Sequence, residues 1–130
     1  MFKFFSKSKP KSESEYKSER LKAFGFESYK NDYLTSDLWK KTRLRFFKSN
    51  YCSKTNGTPS CFVCSSIKRP NVHHLTYKSL CNEKMKHLML LCNSCHEMTH
   101  ALLKIKTYKK YNLSNGHKLT QKVLKFLKKF

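Results

Sequence analysis

Apolar residues recur at helical or strand spacing in the central part of the chain. The expected elements are a helix from about Asp37 to Lys48, a turn over 55–60, strands over 72–77 and 88–91, and a helix from Asn93 or Ser94 to about Ile105. Ser36 is a suitable N-cap for the first helix, and Trp39 is its expected core anchor. The pattern predicts one small α+β domain over residues 29–105.

Both ends of the chain are polar and basic. Residues 1–28 are rich in Ser, Lys and Glu, which predicts a disordered arm because too little apolar surface is present to offset the entropy of ordering. Residues 106–130 contain many lysines and no acidic residue. An apolar stripe in this tail predicts an amphipathic helix that docks on the domain, with an anionic membrane surface as the alternative. The stripe consists of Leu119, Val123, Phe126, Leu127 and Phe130.

Composition adds two constraints to this pattern. Hydrophobic residues make up 38% of the 130 residues even with tyrosine counted, below the roughly 45–50% of an ordinary globular chain, so the core needs additional support. The formal charge of +20 favours a polyanionic partner, with nucleic acid first and an acidic membrane second. The longest apolar run, 88–92, is far too short to span a bilayer. With no secretory signal at the N-terminus, we expect an intracellular protein.

Four of the six cysteines form two Cys-x-x-Cys pairs with 27 residues between them. The pairs are Cys61/Cys64 and Cys92/Cys95. Each pair can bind one ion through both sulfurs, and two pairs complete the tetrahedral S4 shell of a structural zinc ion. Such a site would supply the missing cross-link, since zinc binding contributes directly to folding. The alternatives are four unrelated buried thiols, disulfides, or a Cys2His2 finger that would leave the second pair unused. Cys52 and Cys81 are expected to be ordinary thiols.

Five of the six histidines fall between residues 73 and 100. His96 and His100 lie one turn apart on the predicted last helix, so both imidazoles can reach one ion. The third ligand should come from the His73-His74 pair on the first strand. Neighbouring strand residues point to opposite sides, so one of the pair could bind metal while the other faces substrate. Three protein ligands leave coordination positions vacant, which is typical of a catalytic site. Surface or packing histidines are the alternative interpretation.

These motifs follow one another in a specific order. The sequence contains Tyr33-Leu34-Thr35-Ser36-Asp37-Leu38-Trp39, Cys61-x-x-Cys64, Val72-His73-His74-Leu75-Thr76-Tyr77, Glu83, and Leu88-Met89-Leu90-Leu91-Cys92-x-x-Cys95-His96-x-x-x-His100. The combination resembles the HNH endonucleases, in particular a zinc-stapled subgroup whose first strand reads His-His-Leu-Thr-Tyr. The resemblance implies a ββα-metal fold, in which two strands and one helix hold a divalent cation at the scissile phosphate.

The resemblance also implies residue roles. His74 would be the general base that activates water, and His73, His96 and His100 would bind the catalytic cation. Mg²⁺ or Mn²⁺ is the first expectation for this cation, although three imidazoles also suit Zn²⁺ or Ni²⁺. The reaction would be hydrolysis of DNA phosphodiester bonds to 5′-phosphate and 3′-hydroxyl ends, with double-stranded DNA as the partner.

One position departs from the family pattern. The motif's central Asn should precede the second strand, and His87 stands there. We expect His87 either to orient His74 or to mark a weakened enzyme, and Glu83 to accept a hydrogen bond from an active-site imidazole or to be a solvated loop residue. Basic side chains near the proposed site are expected to hold the nucleic-acid backbone: Arg43, Arg45, Lys68 and Arg69. The alternative function is a non-catalytic, zinc-stabilised module that binds nucleic acid.

Overall fold

The structure of the protein is a computed structural model that describes residues 11–103. Three helices and two small sheets make up a mixed α/β arrangement. The elements are α1 (Glu13–Ala23), a π-helical turn (Tyr29–Tyr33), α2 (Asp37–Phe47), β1 (Lys54–Thr55), β2 (Thr58–Pro59), β3 (Pro70–His74), a 3₁₀ turn (Met85–His87), β4 (Leu88–Cys92) and α3 (Asn93–Leu103). The predicted helix over 119–130 lies outside the described residues.

Helix α1 corrects the prediction that residues 1–28 are a disordered arm. Ser12 caps the helix and forms a capping box with Glu15, which satisfies backbone N–H groups at both positions. The Glu13 carboxylate is buried and accepts hydrogen bonds from the Thr76 hydroxyl and the Tyr77 backbone N–H. The helix is therefore held by long-range polar contacts that composition does not reveal. Residues 1–10 lie outside the described part of the chain.

The predicted helix after Ser36 is confirmed as α2. The Ser36 hydroxyl accepts a hydrogen bond from the Trp39 N–H at 3.2 Å, and Asp37 lies in the first turn, where its charge suits the helix dipole. Trp39 is buried and packs against Tyr33, with ring centroids 5.7 Å apart. The turn expected at 55–60 is a short hairpin of β1 and β2, with Asn56 and Gly57 at positive φ.

Strands β3 and β4 pair antiparallel, with His73 opposite Met89 and His74 opposite Leu88. The first strand ends at His74 rather than at Tyr77, because Leu75 N–H bonds to the His87 carbonyl and the next residues turn toward Glu13. All five residues of β4 are buried. The first four alternate between two apolar clusters: Leu88 and Leu90 pack with α2 and the π-helical turn, and Met89 and Leu91 pack in the cluster that also contains Cys61, Cys92 and Cys95.

Candidate metal centres and active-site cleft

The four paired cysteines come together at one end of the β3–β4 hairpin. Their Sγ atoms all lie within 4.8 Å of one another, and the Cys64 and Cys92 sulfurs are 3.6 Å apart. Cys61, Cys92 and Cys95 are buried and Cys64 is exposed. Zinc–sulfur bonds of about 2.3 Å in a tetrahedron need sulfurs roughly 3.8 Å apart, so the spacing fits and the cluster could bind zinc.

Local backbone geometry brings the first cysteine pair to the hairpin. Cys61 N–H bonds to the Ser66 carbonyl and Ser65 N–H bonds to the Cys61 carbonyl, which closes a tight turn around the pair. Ser65 adopts a positive φ of 63° in this turn. Phe62 N–H donates to the Leu90 carbonyl at 2.9 Å, so the turn is fastened directly to β4.

Helix α3 carries donors for both clusters. Cys95 lies in its first turn and faces the other cysteines, whereas His96 follows it by one residue, about 100° around the axis. Asn71 on β3 donates from its amide nitrogen to the Asn93 side-chain oxygen at 2.5 Å. This contact ties the start of α3 to the strand that supplies the remaining histidines.

The second donor cluster consists of His73, His96 and His100. One ring nitrogen from each lies within 4.8 Å of the others, and the Nε2 atoms of His96 and His100 are 3.0 Å apart. The His73 ring centroid lies 5.2 Å from each of the other two. Buried His73 Nε2 has no hydrogen-bond partner within the described residues, which is costly unless another group binds it. A metal ion would satisfy this nitrogen, so the three residues fit a cation.

The protonation of this cluster suits metal binding. Burial lowers the pKa of His73 well below its usual range, and the neighbouring histidines lower it further. Burial and the nearby His100 likewise lower the pKa of His96 to about 4. Both imidazoles are therefore neutral near pH 7, and their lone pairs are available to a cation.

His74 points to the opposite side of β3 from His73, as strand alternation predicts. Its Nε2 lies 2.7 Å from the Glu83 carboxylate and its Nδ1 lies 3.0 Å from the Tyr29 hydroxyl. The Trp39 ring stacks on it with centroids 4.9 Å apart. These contacts fix the plane of the imidazole and leave its side chain 1% exposed.

Glu83 is the group that orients His74. Its carboxylate is buried and also accepts hydrogen bonds from the Tyr33 hydroxyl at 2.6 and 2.8 Å, while Arg45 Nη2 donates to its backbone carbonyl at 3.1 Å. The expected hydrogen bond between Glu83 and an imidazole is present, and the imidazole is that of His74. His87, expected either to orient His74 or to mark a weakened enzyme, bonds through Nδ1 to the Ser79 hydroxyl at 2.6 Å, whereas the carboxylate that contacts His74 is that of Glu83.

A cleft of about 270 Å³ joins the two sides of β3. His73, His74, His96 and His100 all line it, and so does Arg43. The four histidines singled out from the sequence therefore meet at one cavity. The other three predicted phosphate contacts are all exposed. Arg45 donates one hydrogen bond to the Glu83 backbone carbonyl, and Lys68 and Arg69 lie in the loop before β3.

Tyr29 and Tyr33 also belong to this site, although the sequence pattern assigned no role to either of them. They lie four residues apart on the π-helical turn, and their hydroxyls contact His74 and Glu83 respectively. The four-residue spacing is the available signal, since it places both rings on one face of a helical turn.

Comparisons with protein-family models, with curated proteins and with solved structures find no match to this chain. Among the helices described between residues 11 and 103, none has the length and apolar composition needed to cross a bilayer.

Proposed function

We propose that the protein is a metal-dependent endonuclease of the HNH class, with a ββα-metal core formed by β3, β4 and α3, that hydrolyses DNA phosphodiester bonds. One observation carries the proposal: three imidazoles converge near His73 Nε2, which has no hydrogen-bond partner among residues 11–103, at a cleft also lined by a fourth, carboxylate-bound imidazole. A purely structural metal site would not need an adjacent cleft or an oriented base.

His73, His96 and His100 would hold the catalytic divalent cation. When bound, the cation would polarise the phosphoryl group and stabilise the departing 3′ oxygen. Mg²⁺ or Mn²⁺ is the first choice from the family resemblance, while the all-imidazole donor set also suits Zn²⁺ or Ni²⁺. The four cysteines would hold a separate zinc ion with a structural role, because four thiolates leave no position for substrate.

His74 would act as the general base. Glu83 holds its ring through Nε2, and this contact would also stabilise the imidazolium that forms when His74 takes a proton from the attacking water. Arg43 lines the same cleft and would contact the phosphate backbone, with Lys68 and Arg69 extending the basic surface. The charge of +20 supports DNA as the partner.

The test is cleavage of supercoiled plasmid by the purified protein with Mg²⁺, Mn²⁺, Zn²⁺ or Ni²⁺ added singly. We expect nicked or linear product from the wild type, and a rate about 10²–10⁴-fold lower from His74→Ala at matched metal content. The control is Met98→Ala, an exposed position on α3 outside both clusters, which should cleave like the wild type. Identical plasmid patterns from wild type and His74→Ala would remove the catalytic proposal.

A second candidate is a non-catalytic module that binds nucleic acid. The observation in its favour is that both ring nitrogens of His74 are already hydrogen-bonded within the protein. The same assay separates the two, since a pure binding module would shift DNA in a gel in every metal without cutting it.

A further inference from the structure

The imidazole of His74 has little direct access to the cleft. Its side chain is 1% exposed, Trp39 stacks against one face at 4.9 Å, and the Tyr77 ring lies 5.4 Å away by centroid distance. A water molecule in the cleft would have to displace a neighbour to reach either nitrogen. A base in this position needs a group that connects it to the reacting water.

The hydrogen bonds of His74 identify that group. Both Glu83 oxygens accept from the Tyr33 hydroxyl, so we assign Glu83 as the acceptor from His74 as well, with the proton of the neutral ring on Nε2. Nδ1 then carries the lone pair, and it accepts the hydroxyl proton of Tyr29 across 3.0 Å. Tyr29 is half-buried and lines the cleft. Tyr29 therefore contacts both the cleft, which it lines, and the basic nitrogen, which its hydroxyl reaches.

We propose that Tyr29 is a further catalytic residue of the proposed endonuclease, whose hydroxyl relays the proton of the attacking water to His74 Nδ1. The inference rests on the proposed function. As the water oxygen bonds to phosphorus, its proton passes to Tyr29 Oη and the original hydroxyl proton of Tyr29 passes to Nδ1. The bond from phosphorus to the 3′ oxygen breaks, and that oxygen leaves with the electron pair and takes a proton from solvent. The imidazolium later returns its proton to solvent through Tyr29.

The surroundings of Tyr29 support this role. Burial, together with Tyr77, raises the pKa of Tyr29 above its usual range, so the hydroxyl holds a proton to donate near neutral pH. Lys17 Nζ lies 4.1 Å from the Tyr29 ring centroid and 5.0 Å from that of Tyr77. This cation–π contact helps to hold the Tyr29 ring in place.

The first test is Tyr29→Phe, which keeps the ring and removes the hydroxyl. Under single-turnover conditions we expect the rate of plasmid cleavage to fall about 10²-fold, the scale of a lost proton-transfer group, with unchanged DNA affinity and metal content. Tyr51→Phe, at an exposed tyrosine outside the cleft, is the control and should cleave like the wild type. A loss smaller than about 3-fold for Tyr29→Phe would overturn the relay.

Two further readouts separate a relay from a structural effect. In mixtures of H₂O and D₂O, a plot of the wild-type cleavage rate against the D₂O fraction should be curved, which indicates that two protons move together. A linear plot would overturn the relay even if Tyr29→Phe failed to fold. In folded protein that holds zinc at the cysteines, with no other divalent cation added, the ¹⁵N shift of His74 Nδ1 should move toward that of an unbonded nitrogen in Tyr29→Phe. An unchanged shift would contradict the hydrogen bond.

The outcomes also distinguish the relay from the function on which it rests. If His74→Ala is inactive while Tyr29→Phe cleaves normally, the relay is wrong and the proposed endonuclease stands. If the wild type cleaves in none of the four metals, both proposals are wrong.

Discussion

The cysteine cluster and the histidine cluster are built on the same short hairpin and helix but differ in their access to solvent. Four sulfurs, three of them on buried residues, lie together at one end of the β3–β4 hairpin. Three imidazoles, one buried and one exposed, face a cleft of about 270 Å³. A closed set of four donors suits a structural ion, and an open set of three suits an ion that must also contact substrate. Donor number and solvent access, more than the distance between donors, therefore distinguish the two clusters.

The largest expected effect comes from breaking the closed cluster. Cys61→Ser should leave a chain that is unfolded at 37 °C, because a structural zinc contributes about 10–16 kcal/mol of binding free energy to the folded state. Circular dichroism with and without a chelator measures this. Cys52→Ser is the matched control, since Cys52 is equally a buried thiol but belongs to neither cluster. A folded, chelator-resistant Cys61→Ser protein would contradict the structural role.

Disrupting the histidine cluster should have the opposite effect, with cleavage lost and the fold kept. His96→Ala should lower the rate of cleavage by about 10²-fold or more, because several kcal/mol of transition-state stabilisation are lost with the cation. The free energy of unfolding should change by no more than about 1 kcal/mol, the scale of a half-buried substitution. Thermal unfolding and plasmid cleavage on the same sample check both parts. Loss of the fold in His96→Ala would show that the two clusters do not differ as described.

A smaller effect is expected from a substitution at Glu83, which contacts His74 beside the histidine cluster. Glu83→Gln removes the carboxylate that accepts from His74 and Tyr33 in a buried environment. We expect a loss of about 1–3 kcal/mol in unfolding free energy, since buried hydrogen-bond partners are left imperfectly satisfied, and slower cleavage with zinc content unchanged. Denaturant titration and metal analysis measure these quantities. Wild-type stability together with wild-type cleavage would mean that Glu83 does not orient His74.

The sequence predicted the donors of both clusters better than it predicted what surrounds them. Cys-x-x-Cys pairs, His96 and His100 one turn apart, and paired histidines on a strand are local patterns with local geometric consequences. The contacts that orient His74 join segments about 45 residues apart in the case of Tyr29, and periodicity carries no information on such pairings. The same holds for α1, whose Glu13 reaches Thr76. Its polar composition is typical of disorder, and tertiary hydrogen bonds outweigh that tendency.

The smallest expected effect concerns α1, which contacts the histidine side of the molecule through Thr76, Tyr77 and Leu80. Ser12→Ala removes the side-chain cap and should lower the free energy of unfolding by about 1 kcal/mol. Ser12→Gly should lower the free energy of unfolding by only a few tenths of a kcal/mol. Thermal unfolding of the two variants provides the comparison. Equal and negligible effects would indicate that α1 does not depend on its capping box.

The central claim is that three imidazoles form a second metal site, open to substrate and separate from the cysteines. Native mass spectrometry of the metal-loaded protein tests it most directly, because it counts ions per chain in the folded state. We expect two ions in the wild type and in Met98→Ala, and one in His96→Ala. A single ion in all three proteins, held by the cysteines, would contradict it.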